Sequence, residues 1–164
     1  MNRGEFEVYK LRYDRAEKYL PESDDMTLIT LKGHLLVEEV LEDIVLQYCR
    51  EPEVISKIRI TFFLKLRLAQ ALVGSDRVPE LLWKLAEALN SLRNELSHQL
   101  DSPKVEKKFD EVIKLYEEVQ KLDPEMSRLA KLRVAIGFML GALCYVEGKL
   151  KTGEFQTLAE CRNV

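Results

Sequence analysis

Residues 79–100 read PELLWKLAEALNSLRNELSHQL, and this stretch decides the fold. Its leucines recur at alternating spacings of three and four residues: Leu82, Leu85, Leu89, Leu92 and Leu96. That spacing aligns them along one face of an α-helix, and a line of leucines packs against another helix. The segment therefore predicts a helix from Pro79 to Leu100 with one buried face.

Five further segments carry helical periodicity or helix-start signals, and short breaks separate them: Gly4–Leu20, Met26–Arg50, Val54–Val73, Ser102–Val119 and Asp123–Glu147. The third includes an Ile-Arg-Ile-Thr-Phe-Phe run that could form a strand, but its length between Pro52 and Gly74 favours a buried helix. Short connections between six helices predict an all-α, antiparallel up-and-down bundle. The bundle is expected to occupy residues 1–148, with residues 149–164 as a C-terminal tail.

Composition limits both the fold and the kind of partner. The 164 residues contain only 7 glycines and 5 prolines, too few for the many tight turns of an all-β fold. The net charge of −3 excludes a generally basic nucleic-acid coat, so any contact with RNA must be local. The length fits one domain.

No targeting signal is visible, and a cytoplasmic protein is expected. The N-terminal ten residues mix charges and lack an apolar core. The longest nearly uncharged apolar stretch, residues 134–146, falls short of the roughly 20 residues that span a bilayer. The three cysteines have no metal-ligand spacing and are typical of reduced thiols. The chain has only two histidines and no glycine-rich phosphate loop, so neither a metal nor a cofactor is expected.

The most specific string is Arg93-Asn94-Glu95-Leu96-Ser97-His98, near the end of the predicted leucine helix. This R-x4-H pattern, with Asn directly after Arg in a small all-α chain, resembles the signature of the HEPN superfamily. The region from Leu31 to Val119, including Leu31–Leu36 and Phe63–Ala69, also resembles the mannitol operon repressor branch of that superfamily.

The resemblance implies a metal-independent endoribonuclease that acts as a homodimer, with two motifs in one cleft. It implies a toxin with an antitoxin partner, or a phage-defence protein. In the best-known members a tyrosine that the antitoxin modifies follows the motif histidine by two residues. Leu100 stands there, so this mode of control is not expected. The alternative is a non-catalytic helical regulator of the mannitol operon repressor type, which acts through protein–protein contacts.

The chemistry of the motif agrees with RNA cleavage by 2′-OH attack. Metal-free cleavage needs a base for the hydroxyl and a cation for the charge that develops on the phosphate. Histidine titrates near neutral pH, and arginine can bind two phosphate oxygens at once. We therefore assign acid–base chemistry to His98, phosphate binding to Arg93 and orientation to Asn94.

Helical geometry constrains how these residues act together. At 100° per residue, Asn94 and His98 lie about 40° apart, whereas Arg93 and His98 lie about 140° apart. His98 points away from the leucine face. Arg93 must therefore extend around the helix, or the helix must bend after Ser97, or a second chain must supply one of the two groups.

Acidic residues of the second segment are the other candidates for the cleft. Glu38, Glu39, Glu42 and Asp43 form two i,i+4 pairs, and the third segment is basic. Ion pairs between these two helices are the simpler interpretation. Alternatively, Glu39 or Asp43 lines the cleft of His98, as Ser97 would.

Two smaller features have structural interpretations. His34 has Glu38 one turn away and is expected to form a polar pair with it. Gly137 and Gly141 lie four apart in an apolar segment, and small residues at that spacing let two helices approach closely. The close approach could occur within the chain or at a dimer face.

Overall fold

A computed structural model describes residues 3–74, 76–98 and 103–155. These ranges contain seven α-helices and no strand, which confirms the predicted all-α bundle. The helices are α1 Arg3–Tyr19, α2 Met26–Gln47, α3 Pro52–Ile55, α4 Phe62–Val73, α5 Glu80–His98, α6 Pro103–Glu117 and α7 Arg128–Lys151. The predicted positions Leu100 and Ser102 lie outside the described residues.

Polar side chains fix where α2 and α7 begin. Asp25 accepts a hydrogen bond from the amide of Leu28 at 3.0 Å, which caps α2. Ser127 caps α7. The predicted start of the last helix at Asp123 is wrong, because Asp123 instead closes a turn by accepting from the amide of Glu125 at 2.9 Å.

The segment after Pro52 is two helices, and the prediction of one helix across Val54–Val73 is wrong. α3 is a single turn, and residues 56–61 connect it to α4 without helical structure. Thr61 has an extended backbone, with φ −71° and ψ 156°, and its hydroxyl accepts from the amide of Leu64. A side-chain cap at this point begins a new helix, which separates the Ile-Arg-Ile residues from it.

The helices pack in three layers around α2 and α7. α1 covers α7 on one side, and α4, α5 and α6 pack on the other. All five leucines of the α5 seam are buried, as predicted. They belong to one continuous core that also includes Trp83, Phe109 and Ile136.

α1 buries a different face from the one its aromatic residues mark. Phe6, Tyr9 and Tyr13 share a face, but each is about half exposed, at 51%, 49% and 52%. Val8 and Arg12 are buried instead. The aromatic side chains therefore form an open surface beside α7.

α7 continues beyond the predicted domain boundary at residue 148 and ends at Lys151. Lys149 binds Glu5 of α1 at 2.7 Å, and Phe155 packs against the core. Among the described helices, α7 is the one that is long and apolar enough to cross a membrane. This is weak evidence for a membrane span, because the core helix of a soluble protein has the same length and composition.

Candidate functional site

The last turns of α5 carry the three residues assigned to RNA cleavage. Arg93 is half-buried, whereas Asn94 and His98 are exposed. α5 is helical up to His98, which is the last described residue before position 103. Ser97 is exposed, and its hydroxyl donates to the carbonyl oxygen of Arg93 at 2.9 Å, within the helix itself.

The side chain of Arg93 turns towards the exposed polar face. Its Nη1 donates to Oδ1 of Asn94 at 3.1 Å. Asn94 and His98 are four residues apart and so lie one above the other on the helix surface. The guanidinium of Arg93 therefore extends around the helix as far as Asn94.

A buried polar contact lies next to this face. Nε2 of His34, on α2, lies 3.0 Å from Oδ1 of Asn90 on α5, and the ring of His34 stacks on Phe62 at 4.1 Å. Because an amide oxygen only accepts, Nε2 is the donor. Asn90 precedes Asn94 by one turn, so three residues four apart form one polar stripe: Asn90, Asn94 and His98.

Electrostatics link His34 to Arg93. Burial lowers the pKa of His34, and the positive charge of Arg93 acts in the same direction. Nδ1 of His34 lies 3.9 Å from Glu38, and this carboxylate opposes the shift without reversing it. His34 is therefore neutral at pH 7, and a buried neutral ring supports the helix that carries Arg93.

Two of the acidic residues on α2 bind α4. Nζ of Lys65 lies 2.9 Å from Glu38 and 2.7 Å from Glu42. Burial acts to lower the pKa of Lys65, but these bonds outweigh it and raise the pKa. The interpretation that the acidic and basic segments exchange ion pairs is confirmed for this lysine.

Glu39 and Asp43 face α1 instead. Arg15 binds Glu39 through two hydrogen bonds of 2.8 and 2.5 Å, and Arg12 binds Asp43. These contacts place both carboxylates at the junction of α1 and α2. Among the described residues, neither carboxylate forms a hydrogen bond with Arg93. A role for Glu39 or Asp43 beside His98 stays a prediction.

A groove of about 500 Å³ lies between α1 and α7, and Gly137 and Gly141 line it with Tyr9 and Tyr13. A Cβ atom added to either glycine would meet nothing within 4 Å. Close packing within the chain therefore does not explain them. Glycine in a helix interior costs about 1 kcal/mol relative to alanine, so both positions reduce the stability of α7.

Sequence reasoning missed the contact between His34 and Asn90. The signal was present, because Asn90 lies on the stripe of Asn94 and His98 and borders the leucine face. What the sequence lacked was the pairing of α2 with α5, which only the fold provides. Within the described ranges, no group of three His, Cys, Asp or Glu side chains could hold a metal ion.

No protein-family model, curated protein or solved structure matches the chain.

Proposed function

We propose that the chain is a HEPN-like, metal-independent endoribonuclease whose reactive groups are Arg93, Asn94 and His98. The observation that carries the proposal is the bond between Arg93 and Asn94, one turn before an exposed histidine on the same stripe. A cation, an amide and a titratable ring on one accessible surface are the groups that RNA cleavage through the 2′-OH requires.

Each group has a distinct task in the reaction. His98 removes the proton of the 2′-OH, whose oxygen attacks the adjacent phosphorus. The P–O5′ bond breaks, and the protonated His98 gives its proton to the departing 5′-oxygen of the next nucleotide. Arg93 stabilises the charge that develops on the phosphate oxygens. Asn94 holds the guanidinium towards the stripe and offers its amide NH₂ to a phosphate oxygen. The product carries a 2′,3′-cyclic phosphate.

The buried contact behind the stripe supports this assignment. Asn90 binds His34, and the ring of His34 lies between Asn90 and Phe62. Side chains held by packing and hydrogen bonds lose little freedom when substrate binds, so the first turn of the stripe is a rigid base for Asn94 and His98.

A non-catalytic regulator of the mannitol operon repressor type is the second candidate. The open groove between α1 and α7 favours it, because a surface of this kind can bind another protein without any chemistry at α5. In that case the substitutions of Arg93 and His98 leave function unchanged, and substitutions in the groove remove it.

The decisive experiment measures cleavage of a panel of structured and unstructured labelled RNAs. His98→Ala should lose a factor of about 10²–10⁴ in rate, the usual contribution of acid–base catalysis. Arg93→Lys should also be impaired, because an ammonium group cannot replace the two-pronged guanidinium. Asn94→Ala should lose less.

Arg128→Lys is the matched control, because Arg128 is an exposed arginine whose partners, Glu106 and Asp110, lie on α6. It should cleave like the wild type. Absence of cleavage by the wild type, or equal cleavage by His98→Ala, contradicts the nuclease proposal. Growth inhibition on expression, compared between wild type and His98→Ala, tests whether the nuclease acts as a toxin.

A further inference from the structure

Phe63 is an exposed aromatic residue in the first turn of α4. Its side chain is 49% exposed, whereas its neighbour Phe62 is buried and stacks on His34. Arg67 follows Phe63 by one turn on the same side of α4, and its guanidinium carbon lies 5.0 Å from the centroid of the Phe63 ring. The ring and the guanidinium form a flat cationic surface, which we call the Phe63–Arg67 platform.

Two hydrogen bonds hold the guanidinium of Arg67 in place. Its Nη1 donates to Oε1 of Gln70 at 2.9 Å, and its Nη2 donates to Oε2 of Glu87, on α5, at 2.7 Å. Both Arg67 and Glu87 remain partly exposed. A side chain that is already held loses little further freedom when a ligand binds, so the platform is formed before any ligand arrives.

The bond to Glu87 places the platform in line with the motif of α5. A rotation of 100° per residue puts Glu87, Asn94 and His98 within about 40° of one another around the helix. At 1.5 Å per residue, Glu87 precedes Asn94 by about 10 Å and His98 by about 16 Å. A stacked strand advances about 3.4 Å per nucleotide, so about three to five nucleotides cover these distances.

The chain around the platform is basic. Residues 56–74 contain four cations and no acidic residue. Lys65 is bound by the acidic residues of α2, whereas Lys57 and Arg59 are exposed in the segment before α4. This local positive charge is of the sign that phosphate groups require, in a chain whose net charge is negative.

We propose that the Phe63–Arg67 platform is a base-binding subsite, which stacks one nucleobase of the substrate about three to five nucleotides away from the bond that is cleaved. The inference rests on the proposed function and adds a subsite to it. Every base has a π-face that can stack on an aromatic ring or on a guanidinium plane, whatever the sequence. In a duplex the neighbouring bases cover these faces, so the platform selects unpaired strands.

The stacked base anchors the strand and does not take part in the reaction. Because the stack is made equally in the ground state and in the transition state, it lowers KM and leaves kcat unchanged. Phe63→Ala should therefore raise KM for a single-stranded RNA, whereas His98→Ala should lower kcat. A dinucleotide is too short to reach both the platform and His98, so its cleavage should not depend on Phe63.

Binding of a short labelled oligodeoxythymidine, followed by fluorescence anisotropy, tests the platform separately from cleavage. This probe has no 2′-OH, so the proposed reaction cannot consume it. The wild type should bind it more tightly than a DNA duplex of the same length. Phe63→Ala should weaken binding of the single strand by roughly 5- to 150-fold, the usual effect of losing one stacked base, and should bind the duplex like the wild type.

Two further variants complete the comparison. Arg67→Lys keeps the charge but loses the plane, so it should also weaken binding of the single strand. Phe6→Ala is the matched control, because Phe6 is an equally exposed aromatic residue on α1 and should not affect binding. Since Phe63 and Phe6 are both exposed, the alanine variants should fold, which circular dichroism checks.

The possible results separate this inference from the nuclease proposal. If Phe63→Ala binds the single strand as tightly as the wild type, charge alone holds the strand and the subsite is overturned, even where RNA is cleaved. A wild type that binds no single strand also overturns it, and would leave the platform as a contact for a protein partner. If binding depends on Phe63 but the wild type cleaves no RNA, the subsite stands and the nuclease proposal fails.

Discussion

Substitution of Arg12 by methionine should destabilise the protein more than any exposed charge substitution. Arg12 is 8% exposed, and its guanidinium donates to both oxygens of Glu147 at 2.8 and 3.0 Å. Glu147 is itself 5% exposed, and among the described residues both of its hydrogen bonds come from Arg12. Arg12→Met leaves a buried carboxylate without a partner, which costs about 3–5 kcal/mol in the free energy of unfolding.

Two comparisons isolate this cause. Arg15→Met breaks the partly exposed pair with Glu39, with side chains 36% and 42% exposed, and should cost less than about 1 kcal/mol. The double variant Arg12→Met with Glu147→Leu should recover most of the loss, because apolar side chains then replace the whole buried pair. Asp43 is 48% exposed and stays hydrated.

Urea denaturation followed by circular dichroism measures all three variants. A cost below about 1 kcal/mol for Arg12→Met would refute the reasoning, because it would mean that water reaches the Glu147 carboxylate. A double variant that is less stable than Arg12→Met would refute it equally.

Three further outcomes are expected. Burial lowers the pKa of His34, and the charges of Arg93 and Lys65 act in the same direction, whereas Glu38 opposes the shift. The neutral ring therefore stabilises the fold above about pH 6.5, and this stability is lost as the pH falls through the pKa of the folded state. Urea titrations at several pH values should show a steeper loss of stability for the wild type than for His34→Gln, and equal slopes would contradict this expectation. Gly33→Ala should lower the free energy of unfolding by about 1–3 kcal/mol despite the better helix propensity of alanine, because the added Cβ would lie 2.6 Å from Ile136. A gain in melting temperature would contradict this, since it would mean that α2 and α7 can move apart at no cost. If the proposed function holds, RNA cleavage should persist in EDTA, leave 2′,3′-cyclic phosphate ends and spare DNA, which lacks the 2′-hydroxyl; activity lost in EDTA would require a metal.

The sequence predicted helices well where one residue type marked the buried face. The leucines of α5 all point inward, so spacing alone identified both the helix and its core side. In α1 the large side chains do not mark the buried face, because Tyr9 and Tyr13 lie on an open face and the arginine between them is buried. A buried ion pair has no periodic signal, since its second partner, Glu147, is far away in the sequence.

The candidate site was predictable only in part. The exposure of Asn94 and His98 followed from the helical angle to the leucine seam. The turn of Arg93 towards Asn94 did not, because a long side chain can adopt several rotamers around the same backbone. The place of His34 depended on which helix packs against α5, which is a property of the whole bundle.

The alkylation rate of Cys144 offers a measure of how firmly α1 is held against α7. It is 5% exposed beside the α1–α7 groove, and burial, with Glu147 nearby, raises the pKa of its thiol to about 11. Roughly one molecule in ten thousand then carries the reactive thiolate at pH 7. Alkylation of this thiol should therefore be slow in the folded protein and faster when α1 is detached, so its rate is expected to report how often the first helix leaves the bundle.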